Sequence, residues 1–144
     1  MTQENGSFQT KVIVVDDDVV DYNVIRRGFK KADMQATFLW ARDGVEAIEL
    51  LKSHRKQGED LSRCMLLVDL NMPRMNGIEL IRHLRDDQHF QNSPIVVLTT
   101  SKRDEDREAA STLGIEDYIV KDELMHNFDR LLKVYKKIDH PTPV

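Results

Sequence analysis

Five short runs rich in Val, Ile and Leu recur along the chain, at residues 12–15, 37–40, 65–68, 95–98 and 118–120. Each has the length of a strand. Their continuous rather than alternating hydrophobicity requires burial on both faces, which a parallel sheet covered by helices supplies. The segments between them have helical spacing. Val45, Ile48 and Leu51 share a face after Asp43-Gly44, as do Ile78, Ile81 and Leu84 after Asn76-Gly77. The last segment is the clearest: Leu124, Phe128, Leu131, Leu132 and Tyr135 form a stripe, and Lys133, Lys136 and Lys137 stand near the carboxyl end, where cations suit the helix dipole. A first helix over about residues 21–31 offers Val24, Ile25 and Phe29, whereas 103–112 carries mostly Ala and charge. Strands and helices in this alternation predict an α/β fold, a doubly wound five-stranded parallel sheet, because right-handed crossovers place helices on both faces.

A chain of 144 residues is the size of one such domain. Residues 11–137 read as that domain, 1–10 as a flexible N-terminal tail and 138–144 as a C-terminal tail. With 40% hydrophobic and 32% charged residues, neither a disordered nor a membrane-spanning chain is expected. Residues 1–10 lack the apolar stretch of a secretory signal. The lone Cys64, inside an apolar run, is expected to be a buried, reduced thiol, so a cytoplasmic location is expected. The 21 basic and 25 acidic residues are interspersed, which leaves direct nucleic-acid binding without an electrostatic footprint. The five histidines are dispersed and show no paired ligand spacing.

Four strands end in polar residues that a core would waste: Asp16-Asp17-Asp18, Asp69, Thr99-Thr100-Ser101 and Lys121. In a parallel sheet all four converge on one rim, where ligands of such folds bind. Crowded carboxylates repel one another and invite a divalent cation, and a few hard oxygen ligands with room for water favour Mg²⁺ over Ca²⁺. Lys121 and the Thr99 hydroxyl add what a phosphoryl group needs around a carboxylate nucleophile. The chemistry predicted is in-line phosphoryl transfer. Asp18 is better placed to cap the following helix than to bind metal. Trp40 reads as a packing aromatic.

Four segments closely resemble the receiver domains of two-component response regulators: Val14-Val15-Asp16-Asp17-Asp18, the run from Leu67-Val68-Asp69 through Asn71-Met72-Pro73-Arg74-Met75-Asn76-Gly77, Val97-Leu98-Thr99-Thr100-Ser101, and Asp117-Tyr118-Ile119-Val120-Lys121. The likeness covers roughly residues 11–136. It implies a flavodoxin-like receiver fold with strand order 2-1-3-4-5. It also implies Asp69 as phosphoacceptor, Asp16 and Asp17 as the acid pair for Mg²⁺ and Asn71 as a backbone-carbonyl ligand. Thr99 becomes the switch hydroxyl, Tyr118 the aromatic that swings inward with it, and Lys121 the phosphate's partner. Gly77 is expected to permit the turn after the Met-Pro-Arg-Met loop.

The implied function is a single-domain response regulator, not an enzyme with a separate substrate. Its implied partners are a sensor histidine kinase and an unidentified downstream protein. The first helix and nearby loops would meet the kinase, and the face of the fourth helix, fifth strand and fifth helix would carry the output. The Leu-Thr-Thr-Ser segment is similar to small regulators paired with phytochrome kinases. Residues 133–137, followed by Pro141 and Pro143, form either a homodimer contact or a frayed terminus. A hydrolase of the haloacid dehalogenase type would have an acid two residues after its nucleophile, where this chain has Asn71. A receiver that binds partners without phosphorylation is the other alternative, motivated by Asp122 in place of the usual proline after the lysine. A cis bond to a non-proline residue costs about 2.5 to 4 kcal/mol, so this peptide is expected to be trans, with Asp122 capping the last helix.

Overall fold

β-branched residues stiffen a chain in the extended form. In the computed structural model, which describes residues 10–139, the apolar runs become β1 (Lys11–Val15), β2 (Thr37–Ala41), β3 (Cys64–Val68), β4 (Ile95–Thr99) and β5 (Asp117–Val120). All neighbouring strands pair in parallel, in the order β2-β1-β3-β4-β5. The helices between and after them are α1 (Val19–Lys31), α2 (Gly44–Lys56), α3 (Gly77–Arg85), α4 (Asp104–Ser111) and α5 (Leu124–Asp139).

Alternate strand residues point to opposite faces, so the sheet separates two cores. Ile13, Val15, Leu66, Val68, Ile95 and Val97 pack against α2, α3 and α4 through Leu51, Leu80, Ile81, Leu84 and Ala110. Val12, Val14, Met65, Leu67, Val96 and Leu98 pack against α1 and α5 through Ile25, Phe29, Leu131, Val134 and Tyr135. β3 and β4 are buried at every position, while the edge strand β2 is exposed at Thr37 and only partly covered over its middle.

Helices begin where polar side chains can satisfy the first free amides. Asp18 Oδ1 accepts from Val20 N–H at 2.9 Å, so α1 starts two residues ahead of the expected residue 21 and the predicted capping role holds. Asp43 caps α2, and Asn76 and Glu79 form a reciprocal capping box on α3. The start of α4 has no side-chain cap. α5 runs through Asp139, past the boundary expected at 137, and Thr10 is buried. The remainder of the expected tails, residues 1–9 and 140–144 with Pro141 and Pro143, lies outside the described residues. No helix among the described residues is long and apolar enough to cross a membrane.

Cys64 is buried, and burial pushes its thiol up to about 11 from 9.0. At pH 8 the folded chain therefore holds roughly a hundredfold less thiolate than the unfolded one. A disulfide reagent is expected to modify native protein at least that much more slowly than urea-unfolded protein, and similar rates would refute the burial. This group's contribution to stability is intact below pH 9 and is lost as pH rises toward 11, because the unfolded thiol ionises first.

Candidate functional site

Register brings the polar strand ends together. Val15 pairs with Val68, so Asp16 and Asp69 emerge side by side, and Asp69 N–H donates to Val15 O at 3.0 Å. Thr99 pairs with Val120, which sets Lys121 beside it on the same rim.

Lys121 Nζ reaches three carboxylates from three elements: Asp21 Oδ2 at 2.6 Å, Asp16 Oδ2 at 2.8 Å and Asp69 Oδ2 at 3.0 Å. Burial works to lower the lysine, but these hydrogen bonds outweigh it and hold the ammonium above its ordinary value. Burial pushes the Asp16 carboxyl up to about 6, against the pull of Lys121 and of the Asp18 amide. Asp69 is fixed at both oxygens, since Oδ1 accepts from Asn71 N–H at 3.1 Å while Oδ2 takes Lys121.

One carboxylate oxygen each from Asp16, Asp17 and Asp69 lies within 4.8 Å of the others. A hard-oxygen trio containing a buried carboxyl that resists ionisation suits a divalent cation. The Asn71 side chain instead turns to Thr100 Oγ1, at 3.4 Å.

Thr99 is fully buried at the rim, and its hydroxyl accepts from Ser101 N–H at 3.3 Å. Among the described residues no hydrogen bond joins it to Asp69 or Lys121. Tyr118 lies inward, 6% exposed, with its hydroxyl donating to Ser101 O at 3.0 Å and the Arg107 guanidinium 4.4 Å from its ring centroid. Burial pushes its phenol up despite the bond to Ser101.

Two expectations need correction. Asp122 does not cap the last helix: it sits in the 3-10 turn Lys121–Glu123 and pairs with Lys102 at 2.9 Å, which directs its charge toward solvent. No peptide bond among the described residues is cis, as expected for the Lys121-Asp122 link. Gly77 is required for proximity rather than for a turn. The left-handed residue of that loop is Arg74, at φ 63, whereas a Cβ at position 77 would lie 2.4 Å from Asp69 O and 2.8 Å from Leu70 Cα.

Sequence reasoning missed three participants. Asp21, in the first turn of α1, reaches Lys121 from 100 residues away, and no local pattern announced it. Trp40 does more than pack, because its indole N–H donates to Asp16 O at 2.8 Å while its ring stacks on Tyr22 at 5.1 Å. Arg74 grips the buried Asp43 with two hydrogen bonds, of 2.9 and 3.2 Å, which pins the loop after Asp69 to the start of α2. Burial works to raise Asp43, yet the Glu46 amide and Arg74 hold its carboxyl below the usual range.

The model of the response regulator receiver domain family matches residues 12–135. Chemotaxis protein CheY1 of Helicobacter pylori is 32% identical over 111 residues, which is 77% of this chain and 84% of CheY1. Among solved structures, the phosphorylated cyanobacterial phytochrome response regulator RcpA superposes with a TM-score of 0.78 at 24% identity, covering 94% of this chain and 97% of RcpA. The Mn²⁺-bound form of response regulator Rcp1 gives 0.74 at 21% identity, with 94% and 97% covered.

Proposed function

The chain belongs to the response regulator receiver domain family, and from that premise we propose that it is a phosphorylation switch, with Asp69 taking a phosphoryl group from the phosphohistidine of a sensor kinase. The observation that carries this reading is the ammonium of Lys121 held against both Asp16 and Asp69. In the transfer an Asp69 carboxylate oxygen forms a bond to phosphorus as the kinase's phosphorus–nitrogen bond breaks, and the imidazole leaves with that electron pair. Asn71 N–H and Lys121 orient the carboxylate for in-line approach. Lys121 then follows the charge onto a phosphoryl oxygen. Mg²⁺, held by Asp16, Asp17, Asp69 and the Asn71 carbonyl, would neutralise charge on the transferring group. The Mn²⁺ in Rcp1 supports a divalent ion here.

The Thr99 hydroxyl turns toward the new phosphoryl group and Tyr118 moves with it, altering the face formed by α4, β5 and α5 for a downstream protein. The kinase meets α1, where Val19 and Val20 stand exposed directly after the acidic loop and Met125 of α5 is 76% exposed. Likeness to the phytochrome response regulator RcpA and to the bacteriophytochrome response regulator AtBRR supports a phytochrome-type kinase. Homodimerisation through residues 133–137 and a cytoplasmic site of action complete the reading.

The test is acetyl phosphate with Mg²⁺ followed by intact mass. One phosphoryl group is gained, the gain is blocked by a chelator, and borohydride reduction maps it to Asp69 as homoserine. No gain from several small donors would overturn the reading in favour of a partner-binding domain that works unphosphorylated. The single tryptophan gives a second measurement. Because Trp40 holds the Asp16 carbonyl, Mg²⁺ is expected to change its emission saturably at millimolar concentrations typical of weak oxygen sites, roughly 10⁻³ M. Asp17→Asn flattens that response; an unresponsive wild type would count against the metal assignment.

A further inference from the structure

The ion pair that the phosphoacceptor reading does not use is the shortest one Lys121 makes, to Asp21 at 2.6 Å. An ammonium has three N–H donors; here it donates to Asp21 and Asp69, and Asp16 closes on it as an ion pair at 2.8 Å. If Asp69 is phosphorylated, its donor passes to a phosphoryl oxygen on the same residue. A cation drawn to Asp16, Asp17 and Asp69 competes with the lysine for Asp16. Asp21 lies outside that trio, so nothing relieves its hold, and its negative charge faces the ammonium that must help to neutralise a dianion. Its side chain is also the most open of the three, 28% exposed against 3% and 5% for Asp16 and Asp69, so it can be altered without disturbing the core.

We propose that Asp21 is a positioning residue that restrains Lys121 and thereby weakens capture of a phosphoryl group at Asp69. This rests on the phosphoacceptor reading. Asp21 sets how readily the switch saturates, not whether it can be modified. The Asp21→Asn side chain keeps the shape and loses the charge, which frees one donor of Lys121 and removes a repelling carboxylate.

The experiment is calorimetric titration of beryllofluoride, a phosphoryl analogue, into wild type, Asp21→Asn and Asp21→Glu at fixed Mg²⁺. Asp21→Asn is expected to bind roughly five- to tenfold more tightly, the size expected for one partly screened charge, and Asp21→Glu to keep the wild-type value. A purely structural role would weaken binding or leave it unchanged in Asp21→Asn, and either result overturns the proposal. Equal tightening by Asn and Glu also overturns it, since charge would then not be the cause. Should Asp21→Asn fold poorly, Asp21→Ser carries the same expectation from a side chain favoured near helix starts. If wild type shows no beryllofluoride binding at all, the phosphoacceptor reading itself falls. Wild-type binding with an indifferent Asp21→Asn sinks only the inference about Asp21.

Discussion

Gly77→Ala is expected to destabilise the fold by about 3 kcal/mol or more and to reduce phosphoryl uptake from acetyl phosphate to a small residue of the wild-type rate. The added methyl has no flexible neighbour to displace. It meets the carbonyl oxygen of Asp69 at 2.4 Å, the Cα of Leu70 at 2.8 Å and the carbonyl carbon of Asp69 at 3.0 Å, all of them backbone. Relief requires α3 to move away or the Asp69 peptide to rotate. The first opens the core around Leu80 and Ile81, which are fully buried. The second swings the carboxylate away from Lys121 and the Asn71 amide. Gly58→Ala is the control: its φ of +79 strains an alanine, but nothing lies within 4 Å of the new atom, so a loss of about 1 kcal/mol with normal uptake is expected. Urea denaturation and the mass assay decide both. A Gly77→Ala protein of wild-type stability and rate would show that the close approach does not matter.

Arg85→Ala is expected to cost about 3 kcal/mol while leaving phosphoryl uptake intact. Arg85 serves carbonyls of two separate loops. Nε donates to Leu113 O at 2.8 Å and Nη2 to Gly114 O at 3.0 Å, after α4. Nη1 is shared among Phe90 O, Gln91 O and Ser93 O at 3.1, 3.2 and 2.9 Å, in the approach to β4. Burial holds its guanidinium below the ordinary value. Removing it strands the part-buried carbonyls of Phe90, Ser93 and Leu113, while water can replace it at Gln91 and Gly114. Arg85→Lys should recover less than half of the loss, because one ammonium cannot reproduce the planar fork. A loss below about 1 kcal/mol in Arg85→Ala would mean that water replaces the guanidinium freely.

The legible parts of the sequence were those set by local pattern. The apolar runs at β3 and β4 announced themselves because both faces are buried, and Asp16, Asp17, Asp69 and Lys121 were visible because each closes a strand. The start of α1 was blurred because Val19 and Val20 are exposed and add nothing to the apolar stripe. Pairings across the fold were not legible. Arg74 finds Asp43 from 31 residues away and Lys121 finds Asp21 from 100, and no spacing rule encodes either. Gly77 illustrates a subtler limit, since a glycine kept for crowding looks the same in sequence as one kept for a turn. Asp122 was misplaced because residues 121–123 form a 3-10 turn ahead of the helix, where its side chain pairs with Lys102 instead.

The Phe128 ring sits so close to Gly28 that a Cβ there would meet it at 2.2 Å, and Phe29 meets Phe38, Phe128 and Tyr135 edge to face. α1 and α5 are thereby joined through an interlocked aromatic cluster. On the other flank α4 buries only Ala110 and begins without a cap. Strain introduced at the rim should therefore dissipate through the compliant flank, and amide hydrogen exchange should run fastest in α4 and slowest along α1 and α5. The molecule has, in effect, a fixed jaw and a yielding one.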